Sequence, residues 1–143
     1  MTENAITITR EFDAPRERLW KEWTEPERFA DWFGGTESEV PLSSVEMDVR
    51  VGGALRLTMR APRGEIQWRG EYREVDEPSR VVFTITDQSP AVEYALVIVD
   101  LADLGDGRTR MRFEQRGPMS EAQIRAAGAG WQRFFDRIAE RLQ

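Results

Sequence analysis

The 143-residue chain contains neither cysteine nor histidine. The missing cysteine excludes disulfides, thiolate nucleophiles and cysteine metal ligands, and it fits a reducing cytoplasm, where disulfides are rare. The missing histidine excludes Ser-His-Asp and Cys-His catalysis and histidine metal sites. No oxygen-ligand loop of the calcium type takes its place, so neither metal nor cofactor is expected. Acid–base chemistry would fall to carboxylates, Tyr, Lys, Arg and backbone groups. Lysine is nearly absent too, Lys21 being the only one. Positive charge is in deficit, 20 basic against 26 acidic residues for a net charge of -6. That balance argues against nucleic acid as the main partner, because such binding rests on neutralising phosphates. No apolar run approaches the roughly 18 residues that span a bilayer. The N-terminal MTENAITITREF has no basic region followed by an apolar segment, so no signal peptide is expected.

What is present is a succession of alternating segments. Ala5 to Phe12 is rich in Ile and Thr, with Ile6, Ile8 and Arg10 on one side, and reads as a strand. Asp13-Ala14-Pro15 reads as a helix start, with Asp13 as cap and Leu19, Trp20 and Trp23 as the apolar side. Thr24 and Glu27 suggest a capping box for a second short helix, faced by Phe29, Trp32 and Phe33 and ended by Gly34-Gly35. Alternating apolar residues then predict strands through Val45–Val51, Leu55–Met59, Ile66–Tyr72, Val81–Thr86, Val92–Leu101 and Thr109–Phe113. Gly52-Gly53, Ala61–Gly64, Pro78-Ser79, the loop Gln88-Ser89-Pro90 and the hairpin signal Gly105-Asp106-Gly107 punctuate them. Clean alternation implies a sheet solvated on one face and covered on the other. The segment Tyr94–Val99 is apolar on both sides. Its outer side needs a cover: the short helices, a register-shifting bulge, or a second copy of the chain as a homodimer.

The cover for the inner face is a long helix from Ser120 to Leu142. Ile124, Ala127, Trp131, Phe134, Phe135, Ile138 and Leu142 recur at three- and four-residue steps. Ser120 with Gln123 supplies a capping box. Gly128 and Gly130 interrupt this helix beside Trp131, each costing about 1 kcal/mol relative to Ala. Such a cost implies a close neighbour, either a strand packed tightly on the helix or the floor of a pocket. No repeat, linker or low-complexity stretch divides residues 1–143, so one domain is expected.

Several segments carry a resemblance: Arg10–Glu17 followed by Leu19-Trp20, Trp23–Glu27, Trp32-Phe33-Gly34, Asp48–Gly53, Gly70-Glu71-Tyr72, Arg80–Thr84, Gly107–Arg110 and Gly130-Trp131. Spread in this order over nearly the whole chain, they resemble the START-like (SRPBCC) superfamily, and within it the homologues of the heat-shock-protein-90 ATPase activator. The resemblance implies an α+β helix-grip fold, Bet v 1-like, in which about seven antiparallel strands grip the C-terminal helix, with two short helices after the first strand. It also implies an internal cavity for apolar ligands. The eukaryotic activator has a further N-terminal domain that docks on the chaperone, for which this chain has no room. A chaperone partner is therefore not expected.

The cavity is expected between sheet and helix, lined by Trp68, Tyr72, Phe83, Met111, Phe113, Gly128, Trp131 and Phe135, with Trp32 and Phe33 near its mouth. Packing accounts for any one of these residues; as a set they suit an apolar pocket with a few polar anchors. No catalytic residue is assigned. Glu71 and Glu74 flank Tyr72, but Glu71 points to the opposite face. Asp48 with Arg50 reads as part of a cross-strand surface ion pair, and Arg108, Arg110 and Arg112 as a solvated stripe or an anion-facing one. The leading expectation is cytoplasmic, non-catalytic binding of a small hydrophobic or amphipathic molecule. A cyclase-type enzyme and a co-chaperone-like protein-binding domain are the alternatives.

Overall fold

The first strand, β1 (Glu3–Phe12), enters the sheet at its edge, and two short helices follow, α1 (Arg16–Thr24) and α2 (Pro26–Trp32). After a single 3-10 turn at Leu42–Ser44, the chain runs through β2 (Glu46–Met47), β3 (Ala54–Ala61), β4 (Gly64–Asp76), β5 (Arg80–Ile85), β6 (Ala95–Gly105) and β7 (Arg108–Pro118). It ends in the helix α3 (Glu121–Arg141). This is a computed structural model, and it describes residues 3–87 and 94–142. The expected loop at Gln88-Ser89-Pro90 and the first residues of the expected strand Val92–Leu101 lie outside the described residues. Seven strands form one antiparallel sheet in the order β1-β7-β6-β5-β4-β3-β2. With α3 across its inner face, this is the helix-grip architecture.

Register explains the two faces. Tyr72, Phe83, Val97, Gln115 and Ile6 stand in one row across β4, β5, β6, β7 and β1, and Val81, Val99, Phe113 and Ile8 in the next. These side chains point inward, because residues two apart share a face. The opposite row places Val82, Ile98 and Glu114 side by side. Ile98 is therefore the outward residue that called for a cover, and it is only 6% exposed. Directly opposite it stands Glu114, which accepts from Arg116 at 2.6 Å and Arg112 at 3.2 Å. The hydrogen bond from Arg116 holds the Glu114 carboxyl below its ordinary range, against the opposing effect of burial.

Three local expectations are corrected. Alternation predicts a strand through Val51, but β2 holds only Glu46 and Met47. The chain turns instead, with Arg50 N donating to Asp48 O and Gly53 N to Arg50 O, both at 2.8 Å. Gly52 takes a positive φ of 86°, and a Cβ on Gly53 would fall 1.9 Å from Asp48 O, so only glycine fits there. Val51 is left exposed at the tip, and Asp48–Arg50 is an ion pair within this turn, 2.8 Å, rather than one between strands. The caps of the short helices also differ. α1 is capped by Pro15 and α2 by Glu25, neither through a side-chain bond. The Thr24 hydroxyl donates back to Trp20 O at 2.8 Å instead of capping the next helix. The capping box of α3 forms as expected, with Gln123 N donating to Ser120 Oγ and Ser120 N to Gln123 Oε1.

Charge pairs anchor the C-terminal half of α3. Glu22 is fully buried in α1, and its carboxylate meets Arg141 at 2.6 Å, Arg18 at 3.1 Å and Arg28 at 3.7 Å. Three guanidinium groups on one sealed carboxylate satisfy a charge that would otherwise be costly to bury. Arg141 also pairs with Asp31 of α2. From β1, Arg10 reaches Asp136 at 2.7 Å.

Candidate ligand cavity

Most of the space between the sheet and the helices is filled. Trp23, Trp32, Phe83, Phe113 and Phe135 pack ring on ring beneath the second half of α3. Trp23 is the hub, 4.8 Å from Trp32, 6.2 Å from Phe113 and 6.1 Å from Phe135 between ring centroids. Tyr72 stands edge-on to Phe83 at 5.9 Å. The Trp32 indole N–H donates to the Glu22 carbonyl oxygen at 2.7 Å. Tyr72, Phe83, Met111, Phe113, Phe135 and Trp32 are thus core residues, each at most 2% exposed. Burial, with the Asp48 carboxylate as a lesser cause, raises the Tyr72 hydroxyl well above its ordinary value. It stays protonated at neutral pH.

At one end the filling stops. A hollow of about 200 Å³ is lined by Phe33, Met59, Trp68, Ile85, Gln115, Ala127, Gly130, Trp131 and Phe134. Three of the expected cavity residues meet here, Phe33, Trp68 and Trp131, with Phe33 6.2 Å from Trp68 and 5.8 Å from Trp131. Gly128 lies elsewhere, where an added Cβ would make ordinary contact with Ile6 at 3.9 Å. At Gly130 a Cβ would meet nothing nearer than Arg133 Nη2 at 4.0 Å. No strand backbone packs against Gly130, which lines both this hollow and an open groove of about 380 Å³ that it shares with Gly35, Arg133 and Arg137.

Gly130 was singled out in the sequence together with Gly128; the lining residues that sequence reasoning left out of the site are Met59, Ile85, Gln115, Ala127 and Phe134. Gln115 had a visible signal. It follows Thr109, Met111 and Phe113 on the inward side of β7, so the alternation places a polar side chain in the core. Its Oε1 accepts from Trp131 Nε1 at 2.7 Å, which fixes the ring of Trp131. Trp68 differs: its Nε1 is sealed from solvent with no hydrogen-bond partner. Among the described residues, no ionisable side chain lines the hollow, and no group of three or more Asp or Glu is placed to hold a metal ion.

Beside the hollow lies a second cleft of about 190 Å³, sharing Trp68, Ile85 and Gln115 with it and adding Thr86, Asp87, Tyr94 and Met119. A larger concavity, about 550 Å³, is on the opposite sheet face, open to solvent between Arg56, Arg69, Arg73, Glu71 and Tyr94. The stripe Arg108, Arg110 and Arg112 is matched with carboxylates, the first two with Glu11 and the third with Glu114.

Comparison with known proteins agrees with this architecture. Protein CV1439 from Chromobacterium violaceum superposes with a TM-score of 0.86 at 24% identity, covering 97% of this chain and 96% of its own. The AHSA1 protein SPO3351 from Silicibacter pomeroyi does so with a TM-score of 0.81 at 18% identity, covering 97% of each chain. CalU16 from Micromonospora echinospora gives 0.72 at 23% identity, over 96% of this chain and 75% of its own. At such identities the likeness is one of fold. No curated protein matches the chain. The model of one family, described as activator of Hsp90 ATPase homolog 1-like protein, matches residues 13–143, and the chain belongs to that family.

Proposed function

We propose that the protein binds a small hydrophobic or amphipathic molecule, without transforming it, in the hollow between the sheet and α3. One observation carries this reading: an otherwise filled aromatic core ends in an apolar space of about 200 Å³. Ligand sites are concave, mostly apolar and anchored by a few polar groups, and Gln115 and Trp68 are the polar groups of this one. A cyclase-type reaction would need an acid or base at the substrate. The hollow offers none among the described residues, and Tyr72, the nearest such candidate in the sequence, sits in the core with its hydroxyl held protonated. A co-chaperone role has the family description as its support. We place the protein in the cytoplasm, on its lack of cysteine; no described helix is long and apolar enough to cross a membrane.

Native mass spectrometry of protein purified from its own host tests the proposal. A co-purifying small molecule, lost from a Gly130→Leu variant that adds bulk at the border of the hollow, is the expected result. Retention of that molecule by the variant would place its site elsewhere.

A further inference from the structure

Resting on the ligand-cavity reading, we infer that the occupant is a neutral molecule carrying a hydrogen-bond acceptor, such as a ketone or ester carbonyl, which Trp68 Nε1–H and the Gln115 side-chain amide receive. The argument is an inventory of hydrogen-bonding capacity in the walls. Gln115 Oε1 is committed to Trp131 Nε1 at 2.7 Å. An indole N–H only donates, so this contact also fixes which end of the Gln115 amide is oxygen. What remains on Gln115 is its NH2 group, with no partner among the described residues. Trp68 adds a second donor, sealed from solvent and unpaired. Among the described residues, the walls therefore hold two unused donors, against one remaining lone pair on Gln115 Oε1 and the weak thioether of Met59 on the acceptor side.

A sealed donor without an acceptor is unfavourable, and buried polar groups in folded proteins are nearly always paired. Trp68 stands in the wall shared by the hollow and the adjoining cleft, and so does Gln115. A ligand that turns the indole slightly toward its own oxygen supplies the missing partner, so binding favours that arrangement by the interaction it adds. Charge narrows the class further. Among the described residues, no cation lines the hollow and the adjoining cleft carries Asp87, so an anionic head would be buried uncompensated or placed beside a carboxylate. A neutral acceptor on an apolar body meets every constraint.

The test uses the full chain, isotope-labelled, with two probes of matched shape: acetophenone and its carbon isostere α-methylstyrene. In the unmodified protein, both should bind, and the Trp68 indole N–H resonance should move further downfield with acetophenone than with the isostere. Trp68→Phe should lower acetophenone affinity about fivefold, the effect of one net hydrogen bond, relative to its effect on the isostere. Gln115→Met should act in the same direction, so the inference stands on a second variant if the first fails to fold. If both probes bind and neither variant changes the ratio of their affinities, the donor assignment is wrong while the cavity reading survives. If neither probe binds the unmodified chain, the cavity reading falls and takes this inference with it.

Discussion

Beneath the second half of α3, Phe135 is wholly buried, its ring 5.2 Å from Phe113 and 6.4 Å from Trp32. Beneath the first half, Ala127 and Gly130 look onto a hollow. The sheet and the helix are the same; the difference lies in which helix residues are small. Large aromatics do not mark the cavity, because most of them meet one another and close the space. The void opens where the helix presents too little side chain to fill it. A pocket in such a fold is written in its alanines and glycines as much as in its tryptophans.

The contrast is broken most directly by truncation. Phe135→Ala should cost ~3–5 kcal/mol, as for other wholly buried aromatics, while Phe134→Ala, half-buried at the edge of the hollow, should cost about 1 kcal/mol. Urea unfolding of both variants decides it; equal losses would mean that the two halves are packed alike. Glu22→Ala should come next, at about 2 kcal/mol. That is less than the ~3–5 kcal/mol of a wholly buried pair, because its arginine partners are 18–34% exposed. A variant as stable as the parent would show that the charge cluster contributes nothing to the filled half.

Tyr72 tests whether that half is dry. Its folded-state pKa is raised, so its contribution is fully present below the ordinary tyrosine value of 10.0 and is lost as the pH rises above it. Unfolding experiments should show stability falling with pH in that alkaline window, with a weaker decline in Tyr72→Phe. Parallel curves would mean that water reaches the hydroxyl. The smallest stability effect is expected at the hollow. Gly130→Leu should shift stability by no more than about 1 kcal/mol, since gained helix propensity offsets any crowding. It should still abolish binding of an apolar fluorescent probe. A large destabilisation with unchanged probe binding would show that Gly130 belongs to a packed contact after all.

The element order and the inward faces were legible in the chain because each rests on a local period. Leu55, Leu57 and Met59 alternate in β3, Ile66, Trp68 and Tyr72 in β4, and Ser120 with Gln123 caps α3 just where expected. Val45–Val51 misled because its alternation continues through a turn set by Gly52, Gly53 and the Asp48–Arg50 pair. The site was harder to read. Periodicity tells which side a residue faces but not whether its neighbours meet across the core. Phe113 and Trp68 both face inward, yet only Trp68 borders empty space. That distinction depends on the depth of the layer between sheet and helix, which is fixed by contacts among residues far apart in the chain.

The clasp around Glu22 has a mechanical consequence. Arg141, Asp136 and Arg137 tie the far end of α3 to α1, α2 and β1. The near end rests mainly on half-buried Ile124 and Ala127 and on one bond just before it, Asn4 Nδ2 to Met119 O. The helix is built as a cantilever, fixed at its C-terminal root and lightly supported at its tip. The hollow lies between root and tip, bordered by Ala127 toward the lightly held end and by Trp131, which Gln115 and Phe113 hold, toward the fixed one.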